Sequence, residues 1–144
     1  MTVSVFVDTN VLVYARDASE GRKQPRARAW LDHLWRTGRG RCSMQVLHEY
    51  YVTVTRKLTP GLDPDEAKDD VRDFMTWRPL ALDAALQEAA WRIEQRYEIS
   101  FWDALIVAAA QSMGCEQLLT EDLQHGMAFG ETRVVSPFAI EPGA

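Results

Sequence analysis

The chain has 144 residues, of which 47% are hydrophobic and 26% charged, and its net charge is −5. These values are ordinary for one globular domain with a sizeable core. No apolar run is long enough to span a membrane, and the acidic net charge argues against tight non-specific binding to duplex nucleic acid. No signal peptide opens the sequence, and its two cysteines, Cys42 and Cys115, are far apart. We therefore expect a cytoplasmic protein with reduced thiols.

The first apolar run places an acid at a special position. Val3 to Val7 predicts a strand buried on both faces, as in the middle of a parallel sheet, and Asp8 follows where the strand ends. In open α/β sheets the carboxyl ends of the strands line the crevice that binds ligands. We therefore predict that Asp8 lies at the floor of an active site. A short helix, capped by Thr9 or Asn10, is expected to follow as far as about Arg16.

The middle of the chain is predicted to be mostly helical. Apolar residues at helical spacing, together with start and stop signals, predict helices over about 25–37, 47–58, 63–75 and 83–97. Weak strands are predicted at 41–44 and 78–82, the first from its position more than from its pattern. Glu49 lies beside the apolar stripe of the second of these helices. The acids of the third, Asp65, Glu66, Asp69, Asp70 and Asp73, are expected to form a solvated face.

The last part of the chain contains two more acids at the ends of elements. Ser100 is predicted to cap a very apolar helix from Ala104 to about Met113, with Asp103 at the capping-box position. A strand over 117–120 leads into Asp122, and a final strand is predicted at 134–135. Strands that alternate with helices predict a three-layer α/β/α sandwich around a central, mainly parallel sheet. We expect a single domain over 1–138 and a C-terminal tail over 139–144.

Asp8, Glu49, Asp103 and Asp122 can all lie at one end of this sheet. Each has a plain structural alternative: Asp8 and Asp103 as helix caps, Glu49 as a rim residue and Asp122 as a turn residue. Together they are more informative, because two like charges ~5 Å apart repel by roughly 3 kcal/mol at an effective dielectric constant of ~20. Such a cluster must hold protons or a cation. With no His or Cys at ligand spacing, all-oxygen ligation favours Mg²⁺ or Mn²⁺.

The motifs around these acids resemble those of PIN-domain ribonucleases, and especially of VapC-type toxins. The resembling segments follow one another in the family's order and are Val5-Phe6-Val7-Asp8-Thr9-Asn10-Val11-Leu12-Val13-Tyr14, Gln45-Val46-Leu47-His48-Glu49-Tyr50, Ile99-Ser100-Phe101-Trp102-Asp103-Ala104-Leu105-Ile106 and Leu118-Leu119-Thr120-Glu121-Asp122-Leu123. A lone Asp-Thr-Asn would be a weak signal, whereas four ordered motifs are a strong one.

The resemblance implies a metal-dependent endoribonuclease that uses Asp8, Glu49, Asp103 and Asp122 and leaves 5′-phosphate and 3′-hydroxyl ends. General metal chemistry suggests that Asp8 and Asp103 hold the main Mg²⁺ directly, while Glu49 and Asp122 bind through water or help to hold a second ion. Thr9, Asn10, Ser100 and Thr120 are candidates to orient the carboxylates, although helix capping explains each of them equally well. VapC-type resemblance also implies a homodimer inhibited by a small antitoxin, with translation and growth as the processes that the toxin inhibits.

Two rival functions remain open from the sequence. A phosphatase or phosphotransferase with Asp8 as nucleophile would want a second Asp two residues on, where Asn10 stands instead. A non-catalytic RNA- or protein-binding PIN-like module is the second rival, and the complete set of four acids counts against it.

Two further groups of residues could contact RNA. The first 57 residues carry ten Lys and Arg against five Asp and Glu, and within them Arg22, Lys23, Arg26 and Arg28 are predicted phosphate contacts. A solvated helix face explains this basic set at least as well. The tryptophans, Trp30, Trp35, Trp77, Trp91 and Trp102, are expected to be core or dimer contacts rather than platforms for base stacking.

Overall fold

A computed structural model of the chain describes residues 3–143. Within that range five strands and six helices follow in the order β1 (Val5–Val7), α1 (Thr9–Arg16), α2 (Lys23–Thr37), β2 (Gly40–Arg41), α3 (Met44–Arg56), α4 (Pro64–Met75), α5 (Ala84–Tyr97), α6 (Phe101–Ser112), β3 (Gln117–Leu119), β4 (Ala128–Phe129) and β5 (Thr132–Val135). None of these helices has the length and apolar character needed to cross a membrane.

The strands form one sheet in the order β2-β1-β3-β5-β4. β1 pairs in parallel with β2 and β3, β3 pairs in parallel with β5, and only β4 is antiparallel. Val7 is opposite Leu119, and the backbone N–H of Asp8 donates to the carbonyl of Leu119 at 3.0 Å. The residues that follow β1 and β3 therefore leave the sheet side by side at its carboxyl edge. The predicted fold class, an α/β/α sandwich with a mainly parallel sheet, is confirmed.

The core lies on both faces of this sheet. All of β1 is buried, and in α6 every residue from Ala104 to Ala110 is buried, which explains why that helix is the most apolar of the chain. α6 packs against α5 along its length. The site at the carboxyl edge is thus built on the most deeply buried strand and the most deeply buried helix.

Two predicted strands were placed wrongly. The second strand is Gly40–Arg41 and not 41–44, because the Ser43 side chain accepts a hydrogen bond from the N–H of Val46 and starts α3. Residues 78–82 do not form a strand: Leu80 makes a single parallel bridge to Ser43, through backbone bonds to Cys42 and Met44. The hairpin of β4 and β5 was missed, since Ala128-Phe129 is too short to give an alternating pattern.

The predicted helices over the middle of the chain are present, with two corrections in detail. α1 begins at Thr9, and its cap is Asp8 rather than Thr9 or Asn10. The acidic face of α4 is not uniformly solvated, because Asp70 is largely buried and links three helices. It accepts hydrogen bonds from Arg16 Nε at 2.9 Å, from Arg16 Nη2 at 2.6 Å and from the hydroxyl of Tyr50.

The C-terminal segment is attached to α2. Trp30, which is buried, donates from Nε1 to the carbonyl oxygens of Pro137 and Ile140, both at 3.2 Å. Arg26 donates to the same two carbonyls at 3.2 and 3.1 Å. These contacts lie on both sides of residue 138, where the predicted domain ends.

Candidate active site

Asp8 lies at the centre of the carboxyl edge and is 5% exposed. Its Oδ1 accepts from the backbone N–H of Thr9 at 2.7 Å, and its Oδ2 accepts from the Thr120 hydroxyl at 2.8 Å. Burial raises the pKa of Asp8 from 3.8 to about 7, although the bonds from Thr120 and Thr9 oppose the rise. The negative charges of Asp122 and Glu49 raise this pKa further. Asp8 therefore caps α1, as its structural alternative predicted, and its carboxyl group also has a strongly raised pKa.

Thr120 joins Asp8 to Asp122. Its hydroxyl donates to Asp8 and accepts from the backbone N–H of Asp122 at 3.0 Å, so the loop after β3 is tied to the acid after β1. Asn10 strengthens the link, because its Nδ2 donates to the Thr120 hydroxyl at 3.2 Å and its Oδ1 accepts from the N–H of Glu121 at 3.3 Å. Thr120 and Asn10 thus do more than cap helices.

Glu49 is held by a donor at each carboxylate oxygen. The Thr9 hydroxyl donates to Oε2 at 2.9 Å, and Gln45 Nε2 donates to Oε1 at 3.0 Å. Gln45 is buried, and its own Oε1 has no hydrogen-bond partner. Gln45 was not among the predicted site residues. Its position four residues before Glu49 on α3, which places the two side chains on one helix face, is the signal that was available.

Asp103 belongs to the first turn of α6, where Ser100 caps the helix by accepting from the Asp103 N–H at 3.1 Å. The Ser100 hydroxyl therefore acts here as a cap. Desolvation of the partly buried carboxyl group raises the pKa of Asp103, and the charges of Asp122 and Glu49 add to the rise. Asp8 and Asp103 thus experience the same two negative charges.

The donor set fits a hard cation that keeps part of its water shell. The side chains that share this region are carboxylates, with hydroxyl and amide groups behind them. Within residues 3–143, however, no three His, Cys, Asp or Glu side chains lie close enough together to hold a metal ion between them. Mg²⁺ does not need such a cluster, because it commonly binds through one or two carboxylates, several waters and the phosphates of a substrate. The chemistry of this donor set therefore suits Mg²⁺ or Mn²⁺ better than a metal that requires a full set of protein ligands.

The predicted phosphate-binding side chains are mostly engaged elsewhere. Lys23 forms an ion pair with Glu121 at 2.9 Å, beside Asp122. Arg28 Nε donates to the carbonyl of Ala15 at 2.9 Å, and Arg26 binds the C-terminal carbonyls. Of this set, Arg28 and Arg22, the residue before α2, are exposed. Contact between these residues and RNA stays a prediction. For Lys23 it requires that the ion pair with Glu121 be replaced by a contact with phosphate.

Three comparisons with known proteins bear on this site. A family model described as the PIN domain matches residues 5–126. Among solved structures, the toxin VapC20 of Mycobacterium tuberculosis, described as cleaving the sarcin–ricin loop, is 26% identical with a TM-score of 0.62, over 80% of this chain and 87% of that one. A chain of a toxin–antitoxin complex from Klebsiella pneumoniae is 19% identical with a TM-score of 0.62, over 93% and 98%. No curated protein is similar enough in sequence to match.

Proposed function

The chain belongs to the PIN-domain family and resembles VapC-type toxins, and on that premise we propose that it is a Mg²⁺-dependent endoribonuclease and the toxin of a toxin–antitoxin pair. The observation that carries the proposal is the linkage of three acidic residues through two threonines. Thr9 donates its backbone N–H to Asp8 and its hydroxyl to Glu49. The Thr120 hydroxyl donates to Asp8 and accepts from the backbone N–H of Asp122. A structural cap needs no such connections to acids on other elements.

The four acids of the site would have different roles. Asp8, whose pKa is about 7, changes charge readily near neutral pH, so it can accept a cation without a large cost at that pH. Glu49 is held at both oxygens and therefore keeps one orientation when a charged substrate arrives. Asp103 is only half-buried and supplies a carboxylate that water and RNA can reach. Asp122 is carried on a loop that Thr120 and Asn10 hold in place.

Asp8 and Asp103 would hold Mg²⁺ directly, with Glu49 and Asp122 acting through water. Bound there, the ion supplies activation of the attacking water and neutralisation of charge on the phosphodiester. The side chains of Thr9, Gln45 and Thr120 hydrogen-bond to the carboxylates of Glu49 and Asp8 and would fix their orientation, as residues that surround the ligands of a metal site usually do.

A nuclease assay on the purified chain tests this proposal. Single-stranded RNA should be cut with Mg²⁺ or Mn²⁺ and left intact with EDTA, and the Asp8→Asn variant should be inactive under both conditions. Products should carry 5′-phosphate and 3′-hydroxyl ends. RNA binding without cleavage by the parent in Mg²⁺ or Mn²⁺ would favour the non-catalytic PIN-like module instead.

The partner of such a toxin would be a small antitoxin that covers the acid cluster. An acidic pocket is a natural receptor for an Arg or Lys side chain, and a basic residue near the antitoxin's C-terminus would replace the cation at Asp8 and Asp103. A largely apolar groove between α3 and α4 offers a surface for the rest of the partner. It is lined by Met44, Leu47, His48, Tyr51, Val52, Lys68, Val71, Arg72 and Met75. Val52 and Met75 are exposed there, as apolar side chains at a binding surface are.

If a small protein is encoded directly upstream of this chain, co-expression of the two tests the partner. We expect a stable complex with little nuclease activity, and Met75→Glu should weaken it while leaving cleavage by the free toxin unchanged. Leu82→Glu is a matched control, because Leu82 is equally exposed and does not line the groove. If the chain arrests no growth and no small protein co-purifies, the toxin role is wrong even if RNA is cut.

A further inference from the structure

Trp102 is the most exposed large hydrophobic side chain of residues 3–143, at 63%. A tryptophan can remove 150–250 Å² from water, so an indole left in solvent forgoes a large stabilisation. Trp102 was predicted to be a core or dimer contact, and the core alternative is wrong for this residue. Trp30, by contrast, is buried as expected.

The indole is supported without being covered. The ring of Phe101 lies against it in an edge-to-face arrangement, with centroids 5.3 Å apart and planes at 71°. Phe101 is itself partly buried and packs against the core, so it anchors the pair. Trp102 also belongs to the first turn of α6, which Ser100 caps. A supported and exposed ring loses little conformational freedom when it binds a planar ligand.

Trp102 immediately precedes Asp103, and consecutive Cα atoms are about 3.8 Å apart. A strand of RNA that lies in the site at Asp103 can therefore place a neighbouring base against the exposed indole. Proteins that bind single-stranded RNA stack splayed bases on aromatic side chains in this way. A second copy of the chain is a less suitable occupant, since a symmetric contact through this face would bring two acid clusters together.

We infer that Trp102 is a base-stacking residue, which holds the nucleotide next to the scissile phosphate. The inference rests on the proposed ribonuclease function and adds to it the way in which the substrate is held. Stacking on an indole is tolerant of base identity, so Trp102 contributes affinity and position more than sequence preference. The preferred substrate is single-stranded or locally unpaired RNA, whose bases are free to turn outward.

Binding measured without turnover tests the role of Trp102. The probe is a short, labelled single-stranded RNA in EDTA, and its dissociation constant is measured by fluorescence anisotropy. Trp102→Ala should weaken binding by roughly five- to a hundredfold, while Trp102→Phe should retain most of the affinity. Trp91→Ala is the matched control, because Trp91 is 51% exposed but lies in the middle of α5, and it should bind as the parent does.

An RNA of the same length with abasic sites identifies stacking as the cause. The parent should lose affinity for the abasic strand, and Trp102→Ala should bind both strands equally, because the two changes remove the same contact. Equal affinity of Trp102→Ala and parent for normal RNA would overturn the inference. So would a change from dimer to monomer in Trp102→Ala with RNA affinity unchanged, which would assign the indole to a protein contact.

The two proposals fail in different ways. If the parent neither binds nor cuts single-stranded RNA, the ribonuclease function itself is wrong. If the parent cuts RNA and Trp102→Ala cuts it with an unchanged KM, only the stacking role is wrong. Melting temperatures of the three tryptophan variants should equal that of the parent, because both side chains are exposed.

Discussion

Replacement of Asp8 by Asn should change how the stability of the metal-free protein depends on pH. The carboxyl group of Asp8 is buried, and its pKa in the folded state is about 7 against an ordinary 3.8. A folded-state pKa above the unfolded one means that stability is fully present below about pH 4 and is lost as the pH rises towards 7. The whole difference corresponds to about 4 kcal/mol, a large part of a typical domain's stability.

Between about pH 5 and about pH 8 the parent should lose roughly 2–3 kcal/mol through this one group. In Asp8→Asn position 8 no longer titrates, and that part of the loss should disappear. The free energy of unfolding of the variant can also differ from that of the parent by a constant amount at every pH, because Asn alters the hydrogen bond with Thr120. The slope of stability against pH is therefore the quantity to compare.

Urea unfolding in EDTA at several pH values, for parent and variant, measures both slopes directly. Mg²⁺ should restore the stability of the parent near pH 8, since a cation that binds only the folded, ionised site raises its stability. Mg²⁺ should do much less for the variant. Parallel pH slopes for the two proteins would refute the assignment of a raised pKa to Asp8, and with it the idea that the buried carboxyl group is poised to exchange a proton for a cation.

Other substitutions separate the roles of neighbouring residues. Asp103→Asn should abolish metal-dependent cleavage and leave the metal-free protein at least as stable as the parent, because one negative charge is removed while Ser100 still caps α6. Nuclease activity and melting temperature, each measured with and without Mg²⁺, check this. Cleavage at the parental rate would contradict it. Gln45→Leu should lower activity by roughly 10–100-fold through the freed Glu49, without loss of stability, because it also removes a buried oxygen that lacks a partner. Tyr50→Phe should cost about 1–3 kcal/mol of stability in urea unfolding through the lost bond to Asp70, with nuclease activity unchanged.

The local sequence determined the elements and the candidates. Start and stop signals such as Asp63-Pro64, Asp83 and Ser100 are contained in a few neighbouring residues, and the structure has helix caps at each of them. The continuous apolar run before Asp8 was enough to predict a buried parallel strand. These features depend on backbone propensities and short-range hydrogen bonds, which is why they are visible without any tertiary information.

Which groups meet was decided only by the tertiary structure. Thr120 is 112 residues from Asp8, Thr9 is 40 residues from Glu49, and Asp70 is 54 residues from Arg16, so no local pattern marks these bonds. Burial is also a property of the whole fold: it raises the pKa of Asp8, removes Asp70 from the solvated face of α4 and leaves Trp102 in water. Periodicity along a helix predicts which face is apolar, but the elements packed around that face decide which side chains lose their water.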